Sequence, residues 1–151
     1  MSRRRVLLFL LILFGLAQFL RPDHTVERHA PGSDLLAVSA ADADVRHLLR
    51  TACYDCHSDS TAYPWYASIT PVNFWLQHHV NEGREEFNMS AWGERTAKWR
   101  HHKASEARHE LQEGKMPLSS YTWLHGDARL SEAERRRLID FFSGLMATAE
   151  R

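Results

Sequence analysis

The stretch TACYDCHSDS, residues 51–60, holds the only two cysteines of the chain, Cys53 and Cys56, with His57 directly behind the second. Three chemistries use such a group. A redox dithiol needs Cys-x-x-Cys at the start of a helix that follows a strand. A zinc site needs two further ligands, for which His101, His102 and His109 are available. Covalent haem attachment uses all three residues: each thiol adds across one porphyrin vinyl group to give a thioether, and the adjacent histidine reaches the iron axially. A plain disulfide across two intervening residues would leave His57 without a role.

The elements that must position this group are helical. In ADADVRHLLRTACYDCH, Val45, Leu48, Leu49 and Ala52 fall at helical spacing, a first helix running into the two cysteines. Thr70-Pro71 reads as an N-cap and first-turn proline opening PVNFWLQHHVNEGREEF. On that helix Val72, Trp75, Leu76, His79 and Val80 are expected to share the inner face. A charged, histidine-rich helix over about 94–113 ends at Gly114, a C-terminal cap signal. Ser131 to Glu134 forms a capping box, followed by an apolar stripe of Leu138, Ile139, Phe141, Phe142 and Leu145. No strand-like alternation is visible. The fold class expected is all-α, with long irregular loops.

Ahead of this body lies MSRRRVLLFLLILFGLAQFLRP, in which three arginines precede an apolar run from Val6 to Leu20, closed by Arg21-Pro22. That is the layout of an export signal, with a charged and then an apolar region. Fifteen apolar residues are short for a full span, which takes ~20, but flanking residues and snorkelling arginines lengthen it. Two readings stay open: an uncleaved anchor, favoured by the Leu/Phe-rich run, and cleavage at Gly15-Leu16-Ala17. Both deliver the chain beyond Arg21 to the same side, with Arg3–Arg5 cytoplasmic. With no cysteine nearby, a lipoprotein anchor is excluded. The expected layout is a signal anchor over 1–21, a polar, flexible tether over 22–40 and one domain over 41–151, the domain lying in the periplasm beside the inner membrane. Four of the 19 basic residues lie in the first 21, leaving 15 against 19 acidic from Pro22 onward. That mildly acidic body argues against nucleic-acid binding.

These surroundings weigh on the three chemistries. The motif follows a helix and not a strand, which disfavours the dithiol. The cysteine and histidine spacing matches no familiar zinc finger. Haem attachment fits the export signal and uses every cysteine. It also gains a candidate second ligand, since Met116-Pro117 follows Gly114 and a thioether sulfur suits haem iron. His78, His79, His101, His102, His109 and His125 compete with Met116 for that position, and bis-histidine ligation would lower the potential. Met116 as a loop residue packing on the core is the plainer alternative.

Three segments, ACYDCHSDSTAYPWY, PVNFWLQHHVNEGREEFN and GKMPLSSYTWLHGDARLSEAER, resemble the bacterial haem-binding domain family of small, membrane-anchored, monohaem c-type cytochromes. The resemblance covers about residues 41–146. It implies a class I cytochrome-c-like helical fold around one covalent haem c, and an electron carrier in place of an enzyme. Carried onto this chain, Cys53 and Cys56 hold the haem, His57 is the proximal ligand and Met116 the distal one. It does not supply the redox partner proteins. The competing function is a small-ligand sensor or catalytic haem with an open or displaceable sixth position.

Around this frame stand residues with two readings each. Pro64 either offers its carbonyl to the His57 N–H or is an ordinary turn proline. His79 either lines the pocket or is a satisfied, half-buried histidine. Trp65, Tyr66, Trp75 and Tyr121 either bind propionates or pack. Glu82 to Glu86 reads as a solvated helix face.

Overall fold

Helix formation begins at Arg3. In the computed structural model, which describes residues 2–149, α1 runs Arg3–Ala17 and buries none of its side chains. At 1.5 Å per residue it is about 22 Å long, short of the ~30 Å hydrocarbon layer. No helix among the described residues is long and apolar enough to cross a membrane.

The remaining helices are α2 (Leu35–Val38), α3 (Ala43–Ala52), α4 (Tyr54–His57), α5 (Val72–Glu86), α6 (Ala97–Gln112), α7 (Ser119–Leu124) and α8 (Glu132–Ala149). Short 3-10 turns link them, and the described residues include no strand. The all-α expectation holds. So does the first helix: Asp42 accepts from the Val45 N–H at 2.9 Å as its cap, and Val45, Leu48, Leu49 and Ala52 are the buried set. Gly114 ends α6 in the left-handed region at φ 68°, where a Cβ would be strained. The capping box closes as expected, Glu134 accepting from the Ser131 N–H at 2.7 Å and donating its own N–H to Ser131 Oγ at 3.3 Å.

Two expectations about α5 change. Thr70 does not cap α5; its hydroxyl donates to the Leu20 carbonyl instead, at 3.0 Å. The inner face of α5 is Asn73, Leu76, Gln77, Val80 and Gly83, while Val72 and Trp75 stand exposed. The reason is that both buried amides are satisfied. Asn73 donates to Thr70 Oγ1 at 3.0 Å, and Gln77 accepts from the Tyr63 hydroxyl at 2.7 Å.

The core sits between α3, α6 and α8, with Leu49, Leu138 and Phe142 almost fully buried. Each such side chain contributes about 1.5–3 kcal/mol by leaving water. Trp92 and Trp99 join Phe87 and Phe142 in one aromatic cluster with ring centroids about 6 Å apart. Residues 22–40, polar in composition, also carry packing. Leu35 and Leu36 lie in the core, and Asp34 takes the Tyr54 hydroxyl at 2.7 Å. Further out, His29 and Asp59 pair at 3.1 Å, and His24 stacks on Tyr63.

Candidate functional site

Helix α3 ends at Ala52 and α4 restarts the chain one residue later, so Cys53 caps one helix and opens the next. The two sulfurs do not join in a disulfide. Burial pushes the Cys53 thiol up to about 12 and the Cys56 thiol up to about 11, with the neighbouring Cys56 and Asp55 adding to the rise in turn. Both therefore remain protonated at neutral pH, the reverse of the depressed values of redox dithiols.

His57 is held by the C-terminal turn of α5. Its Nδ1 lies 2.8 Å from the Gly83 carbonyl and 3.0 Å from the Phe87 carbonyl. Carbonyl oxygens only accept, so Nδ1 carries the proton and the Nε2 lone pair is left for a metal. Burial, the larger influence, holds the imidazole below its ordinary value even though these two carbonyls favour the proton. A neutral imidazole with a fixed tautomer is the form that ligates. Pro64 is not the partner: its carbonyl accepts from the Ala67 N–H at 2.9 Å, the ordinary turn role.

Gly83 serves a second purpose. A Cβ there would stand 2.6 Å from the Cys56 carbonyl oxygen, so only glycine lets α5 lie this close to the cysteine segment. Arg84, next along, does not join a solvated face. It donates to the Ser58 carbonyl at 2.9 Å and to Thr61 Oγ1 at 2.8 Å, bracing the loop that leaves His57.

Beside this wall lie two adjoining cavities of about 610 and 430 Å³, sharing Cys53, His57, Met116 and Pro117 in their linings. Volumes of this order hold a large organic ligand. Cys56 and Tyr121 line the smaller cavity, and Phe87, Met89 and Phe142 the larger. Thus the fold gathers Cys53, Cys56, His57 and Met116 around one cleft. His79 reaches the smaller cavity, its Nδ1 2.9 Å from the Trp75 carbonyl, and His102 and His109 line the larger one. His78 pairs with Glu82 and His125 stacks on Tyr121, and neither lines the cleft. The Tyr121 hydroxyl is taken by Asp55 at 2.7 Å, and Trp65 and Trp75 face solvent. Among the described residues no group of three or more His, Cys, Asp or Glu could hold a metal ion.

A model of the haem-binding domain family matches residues 12–144. The chain belongs to the haem-binding domain family. No curated protein and no solved structure matches it. The donor set of this haem-binding domain fits its ligand class: two protonated thiols, an imidazole with its Nε2 unclaimed and a methionine share a mostly apolar cleft.

Residue types alone pointed to Cys53, Cys56, His57 and Met116. They did not point to Gly83 and Phe87, whose contribution is a main-chain carbonyl that any residue carries. The one signal in the sequence was an isolated glycine inside a helical pattern, which marks close packing as often as a break.

Proposed function

We propose that this haem-binding domain is a membrane-tethered c-type cytochrome that carries single electrons in the periplasm and performs no catalysis of its own. Cys53 and Cys56 form the two thioethers of one haem c, His57 is the proximal ligand and Met116 the distal one. The observation that carries this reading is that both unpaired thiols, the tautomer-fixed His57 and Met116 line the same cleft.

When bound, the haem supplies the ferric/ferrous couple. The chain's own residues set the terms of that couple. The two carbonyls at the end of α5 make His57 a more basic ligand, which favours the ferric state. The Met116 sulfur and the apolar wall of Phe87, Met89 and Phe142 favour the ferrous state. Gly83 keeps α5 close enough for His57 to hold one orientation through the cycle, so little rearrangement accompanies each electron. Helix α1, with Arg3–Arg5 at its start, retains the domain at the inner membrane.

A second reading has one observation in its favour. Met116 sits in an irregular loop and is tied down only through its backbone: its N–H donates to the Glu110 carbonyl at 3.3 Å and its carbonyl accepts from Arg135 at 3.1 Å. A sulfur on such a loop is displaceable, the property of a small-ligand sensor or catalytic haem.

Haem staining of the exported protein on a denaturing gel, with intact mass of the same band, tests the carrier reading. One covalently retained haem is expected. An unstained band at the mass of the bare chain overturns it.

A further inference from the structure

The cleft leaves a set of exposed aromatic side chains without a use. Outside α1, the large hydrophobic residues that stand exposed among the described residues are Phe19, Leu20, Trp65, Val72, Phe74, Trp75, Trp123 and Leu124, together with Val38 on α2. All but Val38 converge on the end of α1. The Gln18 amide pairs with the backbone of Thr70 in both directions, donating to its carbonyl at 3.1 Å and accepting from its N–H at 2.9 Å. The Leu20 carbonyl takes the Thr70 hydroxyl, and the Arg21 guanidinium donates to the Ser68 carbonyl at 3.0 Å. Thus α1 leads into a junction riveted to the loop that carries Trp65 and to the first turn of α5. At 3.4 Å, Tyr66 and His125 join the same loop to the end of α7, which carries Trp123.

This junction has the chemistry of a bilayer boundary. In a chain that is 25% charged, no Asp, Glu, Lys or Arg occurs from Thr61 to Gln77 or from Leu118 to Leu124. Lipid requires backbone polar groups to be satisfied from within, and here a glutamine and a threonine do so where the helix ends. Tryptophan collects at headgroup level, its ring apolar and its N–H wet. The rim also accounts for the shortness of α1: apolar residues beyond Ala17 extend the hydrophobic layer that a helix of about 22 Å leaves incomplete.

We infer that Phe19, Leu20, Trp65, Phe74, Trp75 and Trp123 form a collar seated in the headgroup–acyl boundary, which fixes the domain against the bilayer in one orientation. The inference rests on the membrane-tethered reading of α1. It replaces a swinging globule with a docked one. Trp75 packs on His79 at 4.4 Å between ring centroids, and His79 lines the smaller cavity, so the collar brings the His79 side of the cleft toward the membrane surface.

The test uses the purified full-length holoprotein in vesicles of phosphatidylethanolamine and phosphatidylglycerol. A photoreactive benzoylphenylalanine replaces Trp65 in one variant and Arg136, on the charged outer face of α8, in another. Both sites are exposed, and an unchanged haem spectrum confirms that each variant is folded. Expected are co-flotation of both variants with vesicles, a lipid adduct at 65 and none at 136. Flotation without a lipid adduct at 65, or with equal adducts at both sites, overturns the collar and leaves the anchor standing. A protein adduct at 65 in place of lipid assigns the rim to a second copy of this chain and also overturns it. Failure to float overturns the anchor reading, and the collar with it.

Discussion

The two walls of the candidate cleft are built to different standards. On the His57 side, α4 is wedged against α5 with no room for a Cβ at position 83, two carbonyls converge on one ring nitrogen and Arg84 clamps the following loop. On the Met116 side a single methionine is carried by an irregular segment between α6 and α7, held through its own backbone by the Glu110 carbonyl and the Arg135 guanidinium. One wall is over-determined and the other adjustable. A carrier needs the first to hold the cofactor through every electron. The second is where ligand, potential and reactivity can change without disturbing the fold.

Perturbing the rigid wall is expected to produce the largest effects. Replacing both cysteines (Cys53→Ala with Cys56→Ala) abolishes covalent attachment, read as loss of haem stain after denaturation. Gly83→Ala drives a methyl group into the Cys56 carbonyl, 2.6 Å away, and is expected to cost about 1–3 kcal/mol as α5 is pushed outward. A lowered urea midpoint with disturbed His57 ligation checks it; an unchanged midpoint would show that the close approach is not needed. On the adjustable wall, Met116→Ala is expected to leave covalent haem and fold in place. The ferric spectrum should turn high-spin and the reduction potential fall as the thioether ligand is lost. If instead Met116→Ala unfolds the protein, the contrast between the walls fails.

Far from both walls, Asp42 provides a small control. The Val45 N–H, and then Arg137, hold its carboxyl below the ordinary carboxylate value. The ionised form is therefore favoured in the native state, and the unfolded chain binds more protons at acid pH. Its stabilising effect is complete above about pH 5 and is lost as pH falls through the depressed value. Asp42→Asn should flatten that acid limb of the urea midpoint and leave the haem spectrum untouched.

How much of this is readable from residue types divides along the same line. Side-chain chemistry at fixed spacing is visible in a sequence, so the cysteine pair, His57, Met116 and the buried face of α3 all emerge from it. Main-chain chemistry is not. The carbonyls of Gly83 and Phe87 have no signature, which is why Pro64 is an equally good candidate to hold His57 until the fold is known. Satisfied polar residues mislead in the opposite direction: Asn73 and Gln77 look like surface positions, yet each finds a partner inside and displaces Val72 and Trp75 outward. The polar segment 22–40 hides its packing for the same reason, since Asp34 and His29 are paired.

We propose one covalent haem, ligated by His57 on the rigid wall and by Met116 on the adjustable one. An absorption spectrum of the purified holoprotein in its ferric and ferrous states tests it most directly. A low-spin spectrum is expected in both states, with a long-wavelength methionine-to-ferric band that disappears in Met116→Ala. A high-spin ferric spectrum in the unaltered protein, or a low-spin spectrum unchanged by Met116→Ala, would contradict it.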